Sequence, residues 1–140
     1  MVGEWPTATP ANSGAKPITV IQLCAAYWRF CKTYYVKNGM PTDELASVRV
    51  ALRHIKHCYG KTPACEFGPL SLEAVRQRMI EVGNSRGYIN NNVNRIRRMF
   101  RWGVSKELVP VEIYQALTTV AGLKKGKSAA RETGPVLPVP

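Results

Sequence analysis

The chain has 140 residues and 45% hydrophobic content, enough for one domain with a real core. Its 20 Lys and Arg against 9 Asp and Glu leave a net charge of +11, which points to a polyanionic partner: nucleic acid, an anionic membrane surface or an acidic protein. No apolar run approaches the roughly 18 residues of a membrane span, and the first 17 residues lack the basic start and apolar core of a signal peptide.

Residues 1–17 hold three prolines and little hydrophobic content, and are expected to be disordered. Thr19 is expected to cap a long helix to about Asn38, ended by Asn38-Gly39 with Pro41 behind it. Its apolar stripe is Val20, Leu23, Cys24, Tyr27, Trp28, Cys31, Tyr34 and Tyr35. Thr42 is expected to cap a second helix, with Asp43 and Glu44 suiting the positive end of its dipole and Leu45, Val48, Leu52, Ile55 and Tyr59 buried. A loop with Pro63, Gly68 and Pro69 follows. A third helix is expected from Ser71 to Val82, stopped at Gly83, and a fourth from Ser85 to about Val104. A short fifth fits Glu112 to Ala121, between Pro110 and Gly122. No segment alternates at period two for long enough to predict a strand. The fold class is all-α, a compact bundle of four main helices plus a short fifth.

Without export, the four cysteines are expected as reduced thiols in a cytoplasmic, intracellular protein. Cys24 and Cys31 read as small core hydrophobes. His54 and Cys58 stand one turn apart, but Cys65 lies across a proline loop, so zinc is not expected. Gly-rich phosphate loops, paired carboxylates and Ser-His-Asp sets are absent, and no cofactor is expected.

The charge is concentrated. Residues 69–83 are neutral, whereas residues 84–109 carry six basic side chains against the single acid Glu107. In the fourth helix Ile89, Val93, Ile96, Phe100 and Val104 gather on one face at about 100° per residue. Asn91, Asn94, Arg95, Arg98 and Arg101 gather opposite, with Asn90 and Arg97 on the flanks and no acid among them. A solvated basic face is the plainer account of such a run. Asn and Arg are, however, the side chains that meet adenine and guanine edges bidentately, and Arg also clamps phosphates. On the second helix Arg49, Arg53 and Lys56 form a ridge of the same sign, with His57 beside them. Two helices straddling one duplex are the resulting expectation.

The segment Ile89-Asn90, Val93, Ile96-Arg97, Met99-Phe100, Trp102-Gly103, then Glu107-Leu108-Val109-Pro110, resembles the last main helix of the core-binding domain of tyrosine recombinases, the phage-integrase family. Tyr88 stands where that pattern has a small hydroxyl residue, and Asn91 and Asn92 where it has a basic pair. The resemblance spans roughly residues 18–140, and Ala130 to Pro140 looks like the linker toward a catalytic domain. It implies a SAM-like helical domain over 18–123 that grips double-stranded DNA, and a flexible basic linker over 124–140. It also implies a non-catalytic fragment of an enzyme that rejoins DNA through phosphotyrosine and assembles as a tetramer on DNA; the fragment shows no oligomer seam and is expected to be monomeric. The catalytic Arg, Lys, His, Arg and Tyr of that family would lie beyond Pro140. Tyr27, Tyr34 and Tyr35 read as core residues rather than nucleophiles, and Tyr59, Tyr88 and Tyr114 lack neighbouring Arg-His-Arg sets.

On this reading Arg95, Arg98, Asn91 and Asn94 reach the groove, and Arg49, Arg53, Lys56, Arg97 and Arg101 meet phosphates. Lys124, Lys125 and Lys127 run along the backbone. One alternative is a stand-alone basic module binding RNA or an acidic protein through the same basic face; another is a basic protein-interaction domain using the Trp5 or Trp102 region.

Overall fold

Thr19 starts the first helix by a reciprocal cap: its Oγ1 accepts from the Gln22 amide at 3.3 Å, and Gln22 Oε1 accepts from the Thr19 amide at 2.9 Å. The computed structural model describes residues 17–132, and helix α1 runs Val20–Tyr34 within it. Apart from Pro17, the expected disordered segment lies outside the described residues, as do linker residues 133–140.

Helix α1 ends sooner than expected because Asn38-Gly39 is a hairpin turn rather than a helix stop. Both residues take positive φ, 53° and 78°, as a two-residue primed turn requires. They join β1 (Val36–Lys37) to β2 (Met40–Pro41), antiparallel, pairing Val36 with Pro41 and Lys37 with Met40. Two-residue strands are too short to register as period-two alternation, so the expectation of no strand is corrected here.

Helix α2 spans Asp43–Tyr59 with Thr42 at its N-cap, but the Thr42 hydroxyl turns away and donates to the Tyr35 carbonyl at 2.9 Å. The cap residue closes the hairpin instead of the helix. A loop with a 3-10 turn over Ala64–Glu66 returns to the start of α1, where the Val20 amide donates to Thr62 and the Ala64 amide to Ile18, both at 2.8 Å. Helix α3 is Pro69–Glu81, starting before the expected Ser71 because Pro69, with its fixed φ, takes the first helical position after Gly68. Helix α4 is Arg86–Ser105, with Ser85 Oγ accepting from the Tyr88 amide at 3.3 Å. Helix α5 is Val111–Leu117, shorter than expected, since Thr118 and Thr119 lie in turns.

Helix α4 packs against α1, α2, α3 and α5, and its inward stripe is the centre of the all-α bundle. Phe67, from the loop before α3, stacks on Phe100 at 5.1 Å and 15°, with Tyr59 edge-on to Phe67 at 5.4 Å. Phe67 and Met99 are fully buried core members that the helical stripes did not single out. Gly103 lets α4 close on α1: a Cβ there would stand 2.8 Å from Val109 Cγ2 and 3.1 Å from Leu23 Cδ1. Tyr34, expected in the core, is 63% exposed because α1 has run past the bundle at that point.

The expected free linker is corrected over its first residues. Residues 124–132 fold back to the α3–α4 corner, where the Arg86 amide donates to the Arg131 carbonyl at 2.6 Å and Ala130 is buried. Arg131 Nε donates to the Gly83 carbonyl at 3.0 Å, and Arg86 pairs with Glu132 at 2.8 Å. Ending the chain after Leu123 is therefore expected to lower stability by about 1–3 kcal/mol, read as a drop in urea midpoint. An unchanged midpoint would show that this return contributes nothing to the fold.

Candidate nucleic-acid interface

The polar face of α4 divides into three parts once its neighbours are in place. On the side toward α2, Glu44 takes two arginines. Arg95 Nε and Nη2 donate to its two carboxylate oxygens at 3.0 and 3.1 Å, and Arg98 Nη2 donates to Oε2 at 2.5 Å. Arg98 Nε also donates to the Tyr27 hydroxyl at 3.2 Å, and its guanidinium lies 5.2 Å from the Tyr35 ring centroid. The hydrogen bonds from Arg95 and Arg98 hold the Glu44 carboxyl below its ordinary range despite partial burial. Burial pulls Arg98 down, but its bonds to Glu44 and Tyr27 win and raise it above the usual guanidinium value. Burial likewise pushes the Tyr27 phenol up. Arg95 and Arg98 thus have a carboxylate partner from outside their own helix. The helix itself carries no acid there, and α2 supplies one.

On the opposite flank, toward α5 and the tail, two α4 side chains fasten backbone. Asn90 Nδ2 donates to the Leu123 carbonyl at 3.1 Å and its Oδ1 accepts the Leu123 amide at 2.8 Å, so one amide satisfies both groups of that residue. Arg97 donates through Nε to the Leu117 carbonyl at 2.9 Å and through Nη2 to that of Val120, closing the C-terminal end of α5. Arg76 adds a bond to the Ala121 carbonyl at 2.7 Å. Burial, and then the like charge of Arg76, lower the Arg97 pKa. Arg97, expected on a phosphate, is held by carbonyls. Asn92 is fully buried and accepts from Arg95 Nη1 at 2.8 Å, while its Nδ2 has no partner among the described residues.

On the outermost strip of α4, Asn91, Asn94 and Arg101 are exposed. Asn94 Oδ1 accepts from Arg97 Nη1, and Arg101 has no hydrogen bond or ion pair among the described residues. The α2 ridge is exposed as expected: Arg49, Arg53 and Lys56 make no ion pair among the described residues. Arg49 and Lys56 line a shallow groove with Trp28 of α1, with a volume of about 400 Å³. Arg53 stands about half a turn around α2 from Glu44, so it points away from the side that meets α4. Lys124, Lys125 and Lys127 are exposed on the returning tail.

His54, on the α3 side of α2, has a buried Nδ1 without a partner among the described residues. Burial, then the nearby Arg78, Arg53 and His57, lower its pKa. Among the described residues no three His, Cys, Asp or Glu side chains gather as a metal site, and no helix is long and apolar enough to cross a membrane. All four cysteines are free, and burial pushes the Cys24 thiol up to about 12.

No protein-family model, curated protein or solved structure matches this chain.

Proposed function

We propose that the chain is a double-stranded DNA-binding domain of the integrase type, an intracellular, non-catalytic part of a tyrosine recombinase. The observation that carries this reading is a set of exposed cations without acidic partners among the described residues: Arg49, Arg53 and Lys56 on α2, Arg101 on α4, and the tail lysines. Cations held for stability alone are usually interleaved with carboxylates, as Arg95 and Arg98 are by Glu44. Asn91 and Asn94 stand on the same strip as Arg101 and offer amides to base edges. The all-α bundle and the Ile89–Pro110 pattern agree with the core-binding resemblance.

Arg53→Ala tests the phosphate role. It is expected to weaken binding to all duplex sequences about equally and to lower the slope of log affinity against log salt by about one. An unchanged slope would remove the α2 ridge from the interface. The recombinase part is tested by the coding sequence after Pro140: an Arg…His-x-x-Arg…Tyr set supports it, and an open frame without one counts against it. Binding to RNA hairpins or an acidic protein in preference to every duplex would favour the stand-alone module.

A further inference from the structure

Beside the α4 strip, the end of α1 presents aromatic rings to solvent. Tyr27, Phe30 and Tyr34 recur at helical spacing and stack in a row: Tyr27 on Phe30 at 6.0 Å and 24°, Phe30 on Tyr34 at 5.1 Å and 22°. Trp102 of α4 closes against the row, 5.3 Å from Tyr27 and 5.6 Å from Phe30. The inner rings belong to the core and its edge. The outermost, Tyr34, is 63% exposed. Tyr35 crosses it at 4.9 Å and 86°, and an exposed ring at the end of a stack offers a flat surface for another planar group.

The same groove is cationic. Its volume is about 310 Å³, room for one small planar group, and Arg98 and Arg101 line it together with the rings. Arg101 has no partner among the described residues, and the acid nearest by bonding, Glu44, is already shared between Arg95 and Arg98. Aromatic faces beside an unpaired arginine recognise bases that are not stacked in a helix, through π-stacking and a phosphate contact. A base pair in the interior of a duplex cannot use this surface, because both of its faces are covered by neighbours.

We infer that the Tyr34–Trp102 groove binds an unpaired nucleobase, stacked on Tyr34, with the adjoining phosphate on Arg101. The inference rests on the nucleic-acid reading of the surface but not on its duplex form. The α4 strip and this groove meet at Arg101, so the site suits a junction between paired and unpaired strands.

The test compares three probes: a blunt duplex, the same duplex with a short oligo-dT overhang, and the same with an abasic overhang of equal phosphate count. The intact chain is expected to bind the dT overhang about five- to a hundredfold more tightly than the abasic one, as stacking of a single base allows. Tyr34→Ala, at an exposed position, should remove that preference and leave blunt-duplex affinity unchanged, while Tyr34→Phe retains it. Equal affinity for dT and abasic overhangs, or a preference that survives Tyr34→Ala, overturns the inference. Displacement of the overhang by a Glu-rich peptide that binds the groove more tightly would make it a protein site and also overturn it. If blunt duplex is not bound but the dT overhang is, the duplex reading fails and this one stands; the reverse result sinks this one alone.

Discussion

Phe100→Ala is expected to lower the free energy of unfolding by about 3–5 kcal/mol, a large share of what holds a domain of this size. Phe100 is fully buried on the α4 face that every other helix touches, and its ring stacks on Phe67. Phe67 comes from the loop between α2 and α3, so the pair joins that loop to the centre of the bundle. Truncation leaves a cavity bounded by an aromatic ring that has lost its stacking partner, and neither a loop fixed to α1 nor a central helix collapses easily into it. Urea unfolding should show a lower midpoint with an unchanged slope. A loss under about 1 kcal/mol would mean that the loop repacks freely and that Phe67 is not an anchor.

Glu44→Gln is expected to act in opposite directions on stability and on binding. The carboxylate accepts from two guanidinium groups, yet Glu44 and Arg98 are 30% and 39% exposed, so solvent screens the pair. The loss of stability is on the order of 1–2 kcal/mol. Because the folded pKa of Glu44 lies below its unfolded value, its contribution is complete above the unfolded carboxylate range, near 4.3, and is lost as pH falls through the lower folded value. Stability of the variant should therefore fall less steeply than the parent's below about pH 4.3. Duplex affinity should rise about tenfold, on the order of 1.4 kcal/mol, as Arg95 and Arg98 become available. The salt slope should grow by about 0.9 for each new phosphate contact. Binding that is unchanged or weaker in Glu44→Gln would show that the two arginines serve the fold alone.

The helices were legible in the sequence because their signals are local. Thr19 caps α1 and Ser85 opens α4 where expected, and the buried spacing Ile89, Val93, Ile96, Phe100 reads directly from one strand of text. Local ambiguity explains the misplaced boundary of α1: Asn-Gly ends helices and also turns hairpins, and the positive φ of Asn38 decides for the latter. The polar face of α4 was legible only as composition. Its arginines' partners come from far along the chain, Glu44 from α2 and the carbonyls of Leu117 and Val120 from α5. No helical wheel contains them. Glu44 was assigned to its own helix dipole, which accounts for its position in the first turn but not for the two arginines it holds. The asparagines follow the same division: Asn90 fastens Leu123, Asn92 is buried against Arg95, and Asn91 and Asn94 remain on the surface. Aromatic positions at the end of α1 looked like core because they share its stripe, although the bundle does not extend far enough to cover Tyr34.

The most direct test of the proposed interface is a titration of the isotope-labelled chain with duplex DNA, followed by backbone amide shifts. Shifts are expected to concentrate on the exposed strip Asn91, Asn94 and Arg101, on the ridge Arg49, Arg53 and Lys56, and on Lys124 to Lys127, growing weaker as salt is raised. Shifts confined to the neutral helix α3, or none at all at low salt, would contradict it.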